Sequence, residues 1–189
     1  IYYTSGDNTF DSGSGSYFLF GGNDTFYQSH KLSKYNDVFY GGDGIDTAVL
    51  SGKRATFTVT ASTTVWDELR QVGNLSGYVV TDSAKLVNTL QINQVERLSF
   101  TDGTLALDIA PGQNGGEVYR LYQAAFARTP DMPGVKYHLN DMESNGLPLW
   151  QIASNFLASP EFASKYGTNP TDTQYINALY KNVLNRTPG

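Results

Sequence analysis

The chain has 189 residues, no cysteine, and a formal charge of −5 from 18 acidic against 13 basic side chains. These values exclude a disulfide framework and a Cys-based zinc site, and the acidic balance argues against nucleic-acid binding. No apolar run approaches the roughly 20 residues of a membrane helix, and the length suits two modest domains or one with appendages.

Residues 1–50 alternate short apolar pieces with stretches rich in Gly, Asp, Asn or Ser. The apolar pieces are Thr9-Phe10-Asp11, Phe18-Leu19-Phe20, Thr25-Phe26-Tyr27, Val38-Phe39-Tyr40 and Thr47-Ala48-Val49. Taken as sides of a flattened coil, they place Phe10, Phe26 and Ala48 on one sheet and Leu19 and Phe39 on another. The intervening turns then fall on two edges. One edge receives Ser5 to Asn8, Gly21 to Asp24 and Gly41 to Asp46; the other receives Ser12 to Tyr17 and an inserted loop, chiefly Gln28 to Tyr35, that ends at Asn36-Asp37.

The run Gly41-Gly42-Asp43-Gly44-Ile45-Asp46-Thr47-Ala48-Val49 fits Gly-Gly-x-Gly-x-Asp-x-apolar-x. Glycines permit a turn tight enough to point carbonyls inward, and the sixth-position Asp adds a hard anionic oxygen to the same centre. Calcium accepts such mixtures of carboxylate and carbonyl oxygens. At these residues the chain resembles the RTX, or hemolysin-type, calcium-binding repeat family.

The resemblance implies a parallel β-roll with calcium between turns stacked one coil apart. Asp24 and Asp46 are expected as the paired carboxylates. Gly22, Gly41, Gly42, Gly44 and Asp43 belong to the same turns, and Asp7 is placed to help a second ion. On the other edge Tyr17 stands where a ligand Asp belongs, leaving Asp37. The competing reading is a worn roll held by its strands, with Asp and Gly as turn formers.

Residues 51–110 read as antiparallel β. Phe57-Thr58-Val59-Thr60 and Tyr78-Val79-Val80-Thr81 are good strand formers, and Ile92, Val95, Leu98 and Phe100 alternate in part. Asp102-Gly103 signals a hairpin between Arg97–Phe100 and Leu105–Leu107. This segment is expected to cap the open end of the roll, whose last coil would be the nonapeptide's. The phrase from Leu86 to Leu107 is similar to segments that follow the last calcium repeat in RTX proteins.

From residue 111 the period becomes helical. Val118, Leu121, Tyr122, Ala125 and Phe126 form one apolar stripe, in a helix that stops before Thr129-Pro130. A second helix starts near Pro133, burying Val135, Leu139 and Met142, and stops at Asn145-Gly146. A third follows Pro148, with Leu149, Ile152, Ala153, Phe156 and Leu157. Ser159 is placed as the N-cap of a fourth that carries Pro160 and Glu161 in its first turn and ends near Tyr166-Gly167.

Leu121 to Pro130 matches Leu179 to Pro188 at an offset of 58 residues, so a second unit is expected to start near 173. With Asp131, Gly134, Trp150 and Ser159-Pro160-Glu161-Phe162, the stretch resembles the bacterial domain of unknown function 4214. That resemblance implies a secreted or surface setting rather than an activity.

No catalytic constellation is recognisable. His30 and His138 are the only histidines and sit in no nucleophile or metal motif. Glu117, Asp131, Glu143 and Glu161 read as exposed acids or caps, and Arg128 is expected to pair with Glu161. Tyrosines near the roll, among them Tyr2, Tyr3, Tyr27, Tyr35 and Tyr40, suit strand packing better than sugar stacking.

The expected fold is α+β: a short parallel β-roll (1–50), an antiparallel β cap (51–110) and an all-α helical bundle (111–189). The expected role is a non-enzymatic calcium-binding module of a secreted or cell-surface bacterial protein of surface-layer, matrix or adhesin type. It would leave by type I secretion, fold on calcium binding, and engage calcium and either further copies of itself or surface glycans. The chain begins and ends within repeats and so reads as a piece of something longer. The alternatives are the non-catalytic C-terminal region of a secreted RTX enzyme and a carbohydrate-binding module.

Overall fold

Tyr17, Leu19, Phe26, Phe39, Ala48 and Leu50 are all buried and belong to one hydrophobic cluster. They alternate with side chains of other faces, the period-2 signature of strands that share a core. A computed structural model describes residues 2–11, 15–28, 37–67, 72–83 and 89–189. The chain forms two compact units, Ile1–Leu107 and Asp108–Gly189.

Successive short strands of the first unit go alternately to two sheets. One receives β1 (Tyr2–Thr4), β3 (Ser16–Leu19) and β5 (Asp37–Tyr40); the other receives β2 (Thr9–Asp11), β4 (Thr25–Gln28) and β6 (Thr47–Leu50). All these neighbours pair in parallel. Phe10 stands beside Phe26 and Phe26 beside Ala48, while Tyr17 stands beside Phe39. The register expected for Phe10, Phe26 and Ala48 is therefore present.

Aromatic packing between the sheets explains the regularity. Phe26 stacks on Phe39 with ring centroids 5.1 Å apart, and Tyr17 tilts against Phe26 at the same separation. Burying each such ring is worth about 1.5–3 kcal/mol relative to exposure. Tyr17 corrects the sequence reading. It is a strand residue facing the core, not a turn residue standing in for a ligand, because β3 already starts at Ser16 and the Tyr17 side chain is buried.

Parallel stacking also runs past Leu50. The long antiparallel hairpin β7 (Phe57–Asp67) and β8 (Val72–Asp82) follows β6, and β8 then pairs with β9 (Thr89–Asn93). β9 lies parallel to β5, and β10 (Arg97–Phe100) lies parallel to β6, so Phe39 meets Ile92 and Ala48 meets Leu98. The Asp102-Gly103 turn joins β10 to β11 (Gly103–Ala106) as an antiparallel hairpin. Residues 51–110 thus combine the expected antiparallel pairs with one further parallel layer. Sequence periodicity cannot reveal which partner a strand takes across fifty residues.

The second unit holds five α-helices: α1 (Asn114–Phe126), α2 (Met132–Glu143), α3 (Leu149–Leu157), α4 (Pro160–Tyr166) and α5 (Asp172–Leu184). The class is α+β, yet helical structure is not confined to this end, since Arg54–Thr56 makes a 3-10 turn in the first unit. Caps set the boundaries. Asp131 accepts from the Gly134 amide, Ser159 from the Phe162 amide, and Thr171 with Gln174 forms a capping box.

Val118, Tyr122, Ala125, Phe126, Leu139, Ile152, Phe156 and Phe162 make the helical core. His138 is a packing residue there. Its ring lies 4.7 Å from that of Phe156, and burial pulls its pKa below the ordinary histidine value. His30 and the inserted loop at 29–36 lie outside the described residues, as do Ser12 to Ser14, Tyr35 and Leu86 to Asn88.

Arg128 pairs with Glu161 as expected. Its Nε donates to Oε1 at 2.6 Å and its second terminal nitrogen to Oε2 at 2.8 Å, a fork that lysine cannot make. The guanidinium also lies 5.0 Å from the Tyr122 ring centroid. Both partners are more than a third exposed, so solvent screening limits the ion pair to under about 1 kcal/mol. With ring contact added, Arg128→Ala is expected to cost about 1–2 kcal/mol in urea denaturation. Arg128→Lys should recover less than half of that loss; full recovery would show that charge alone matters.

Candidate metal centre

Four chain turns stack along one edge of the strand unit, and their sequences explain the stacking. Gly6, Gly22 and Gly42 all take positive φ, at 90°, 107° and 98°, a conformation open to glycine at little cost. A Cβ on Gly22 would stand 2.4 Å from the Gly6 carbonyl carbon, and one on Gly44 2.1 Å from the Gly22 carbonyl oxygen. The turns approach so closely that side chains have no room between them. Backbone amides bridge the gaps: Gly6 donates to the Gly21 carbonyl at 2.6 Å and Gly22 to the Asp43 carbonyl at 3.0 Å.

Along the inner row of this stack each acidic side chain reaches back to the preceding turn. The Asn8 amide donates to Asp24 Oδ1 at 2.8 Å, the Asp24 amide to Asp46 Oδ1 at 2.9 Å, and the Asp46 amide to Glu96 Oε2 at 2.8 Å. A parallel outer row links the Asn23 amide to Asp7 Oδ1 at 2.7 Å and the Ile45 amide to Asn23 Oδ1 at 2.9 Å. Each of these groups shares its register position with the one before it, because the strands that follow pair in parallel.

The ladder accounts for half of each inner carboxylate. Asp24 and Asp46 are 1% and 0% exposed, and the Oδ2 of each is buried without a hydrogen-bond partner. A buried charge with one satisfied oxygen is expensive, so such a group must take up a proton or a cation. Burial raises the pKa of Asp24, against the lowering effect of its hydrogen bonds from Asn8. Asp46 is pushed up to about 7, first by burial and then by the neighbouring charges of Glu96, Asp24 and Asp43.

The structure thus gathers Asp24, Asp46, Gly22, Gly41, Gly42 and Gly44 at one edge. Asp7 and Asp43 are exposed on its outer side, and the Asp43 carbonyl is already an acceptor within the stack. Asp37 lies apart on the other edge, where burial raises its pKa and its Oδ1 accepts from the Gly15 amide at 3.0 Å. Among the described residues no three His, Asp or Glu side chains form a metal-binding cluster. An ion here would take most of its oxygens from backbone carbonyls, which calcium tolerates and zinc does not.

Glu96 and the turn 94–96 were not foreseen from sequence. That turn carries no Gly-Asp signature, and its place in the stack follows only from the long-range pairing of β9 and β10. The glutamate beside an apolar run was the sole local hint.

The family model described as "Domain of unknown function (DUF4214)" matches residues 153–189, which span the end of α3, α4 and α5. No calcium-repeat family model matches the strand unit. No curated protein matches the chain. Over residues 153–189, therefore, the chain is similar to the DUF4214 family.

Proposed function

We propose that the strands from β1 to β6, with β9 and β10, form a calcium-binding β-roll, and that the protein is a non-catalytic structural module of a secreted or cell-surface bacterial protein. The observation carrying this reading is the pair of buried carboxylate oxygens on Asp24 and Asp46, one turn apart, each without a partner. A divalent cation between the turns would satisfy both and offset the burial, and after it the neighbouring charges, that lift Asp46. Extracellular calcium sites work at dissociation constants of about 0.1–1 mM, so the turns would close outside the cell and stay open in a low-calcium cytoplasm.

Calorimetric titration with calcium, paired with circular dichroism before and after chelation, tests the reading. Binding should register as heat and as a raised melting temperature, worth about 2.7 kcal/mol of stability at a hundredfold excess over the dissociation constant. The Asp24→Asn and Asp46→Asn double variant should lose both signals. Absence of heat and of any thermal shift in the wild-type protein would overturn it.

A further inference from the structure

We propose that the turn Gln94–Glu96, which lacks any glycine-aspartate repeat, closes an additional calcium site with the Gly41–Asp46 turn, the Gln94 carbonyl and the Glu96 carboxylate supplying oxygens beside Asp46 Oδ2. The inference rests on the calcium reading above and extends it past the last nonapeptide.

The geometry converges from three directions. A Cβ on Gly41 would stand 2.2 Å from the Gln94 carbonyl oxygen and 2.4 Å from Asp46 Oδ2, so both oxygens crowd the same side of Gly41 and lie close to one another. The Gly41 amide donates to the Asn93 carbonyl at 3.0 Å, and the Glu96 and Arg97 amides donate to the Asp46 carbonyl at 3.1 and 3.0 Å, which locks the two turns face to face. Glu96 then sends its Oε2 to the Asp46 amide at 2.8 Å, placing a second carboxylate against the first.

The conformation of Gln94 is compatible with that role. It takes φ of 48°, a left-handed conformation that non-glycine residues adopt at a cost and that clusters at ligand-holding positions. Asp46 Oδ2, fully buried and without a hydrogen-bond partner, lies beside the carbonyl which that residue presents at Gly41. Capping alone does not explain the arrangement: an uncharged acceptor would satisfy the Asp46 amide equally well, without setting one carboxylate against another.

Glu96→Gln separates the roles, because the glutamine oxygen still accepts from the Asp46 amide while the charge is gone. Calcium calorimetry on the full chain should show either one ion fewer or an affinity at least tenfold weaker, with metal-free stability unchanged or raised. Wild-type stoichiometry and affinity in the folded variant would overturn the inference and leave the Asp24 and Asp46 reading standing. Carboxyl-carbon NMR of the wild-type protein gives the answer without a mutation. The Glu96 side-chain resonance should move on calcium addition, and a fixed Glu96 resonance alongside a shifting Asp46 would sink the proposal. If the wild-type protein takes up no calcium at all, the parent reading falls, and this one with it.

Discussion

In calcium-free buffer the protein is expected to lose stability as the pH rises from 4 to 8, by about 4 kcal/mol through Asp46 alone. The sign follows from where the proton sits. Asp46 titrates near 7 in the folded chain against 3.8 when unfolded, so between those values the native state keeps a proton that the unfolded state has released. Stability from this group is complete below pH 3.8 and lost as pH climbs through about 7. Asp24, also raised, adds to the slope in the same direction.

Calcium should reverse this trend, because the ion binds the deprotonated carboxylate and therefore stabilises more at pH 8 than at pH 5. Asp46→Asn keeps the acceptor for the Asp24 amide but has nothing to titrate. Its metal-free form should be flatter with pH and more stable at pH 8 than the wild type. Urea midpoints across the pH series make the comparison. A flat wild-type profile would show that Asp46 is solvated in solution, and an unchanged slope in the variant would assign the effect to other groups.

Gly44→Ala is expected to cost more than about 4 kcal/mol, at the extreme of single substitutions. Two costs combine there. The backbone holds φ of 135°, a region that L side chains rarely adopt, and the new Cβ would meet the Gly22 carbonyl oxygen at 2.1 Å and its carbon at 2.8 Å. The obstacle is backbone of the adjacent turn, so no flexible side chain can yield. Gly6→Ala is the matched control, with φ of 90° and open space around the added carbon, and should lose only about 1 kcal/mol. Equal urea midpoints for the two variants would mean that the turns do not stack this tightly.

The legible features were those set by local chemistry at short range. Phe10, Phe26 and Ala48 could be aligned because similar apolar triplets recur with turn residues between them. Asp24 could be set against Asp46 because each directly precedes its strand, at Thr25 and Thr47. Helix ends were legible wherever a cap or a proline marks them, as at Ser159-Pro160. The illegible features depended on distant partners. Nothing near Glu96 announces that its carboxylate meets the Asp46 amide, since that meeting is made by β10 lying along β6. Tyr17 misled for a related reason: a tyrosine suits a turn or a strand face equally, and only the packing of Phe10 and Phe26 around it decides.

The uneven spacing of the parallel layers has a kinetic consequence. Phe10 and Phe26 pair across 16 residues, whereas Ala48 and Leu98 pair across 50. Loop-closure entropy grows with that separation, so the last layer has the highest barrier to form. Along the inner row, Asp24, Asp46 and Glu96 each reach back toward the N-terminus, so each new layer completes the bonding of the one before it. A chain emerging N-terminus first would therefore zip forward through three cheap layers and then wait for the fourth, with the Asp46 amide still lacking its glutamate. The order in which the layers form follows from this spacing, and the slowest event is the arrival of the one layer that carries no glycine-aspartate turn.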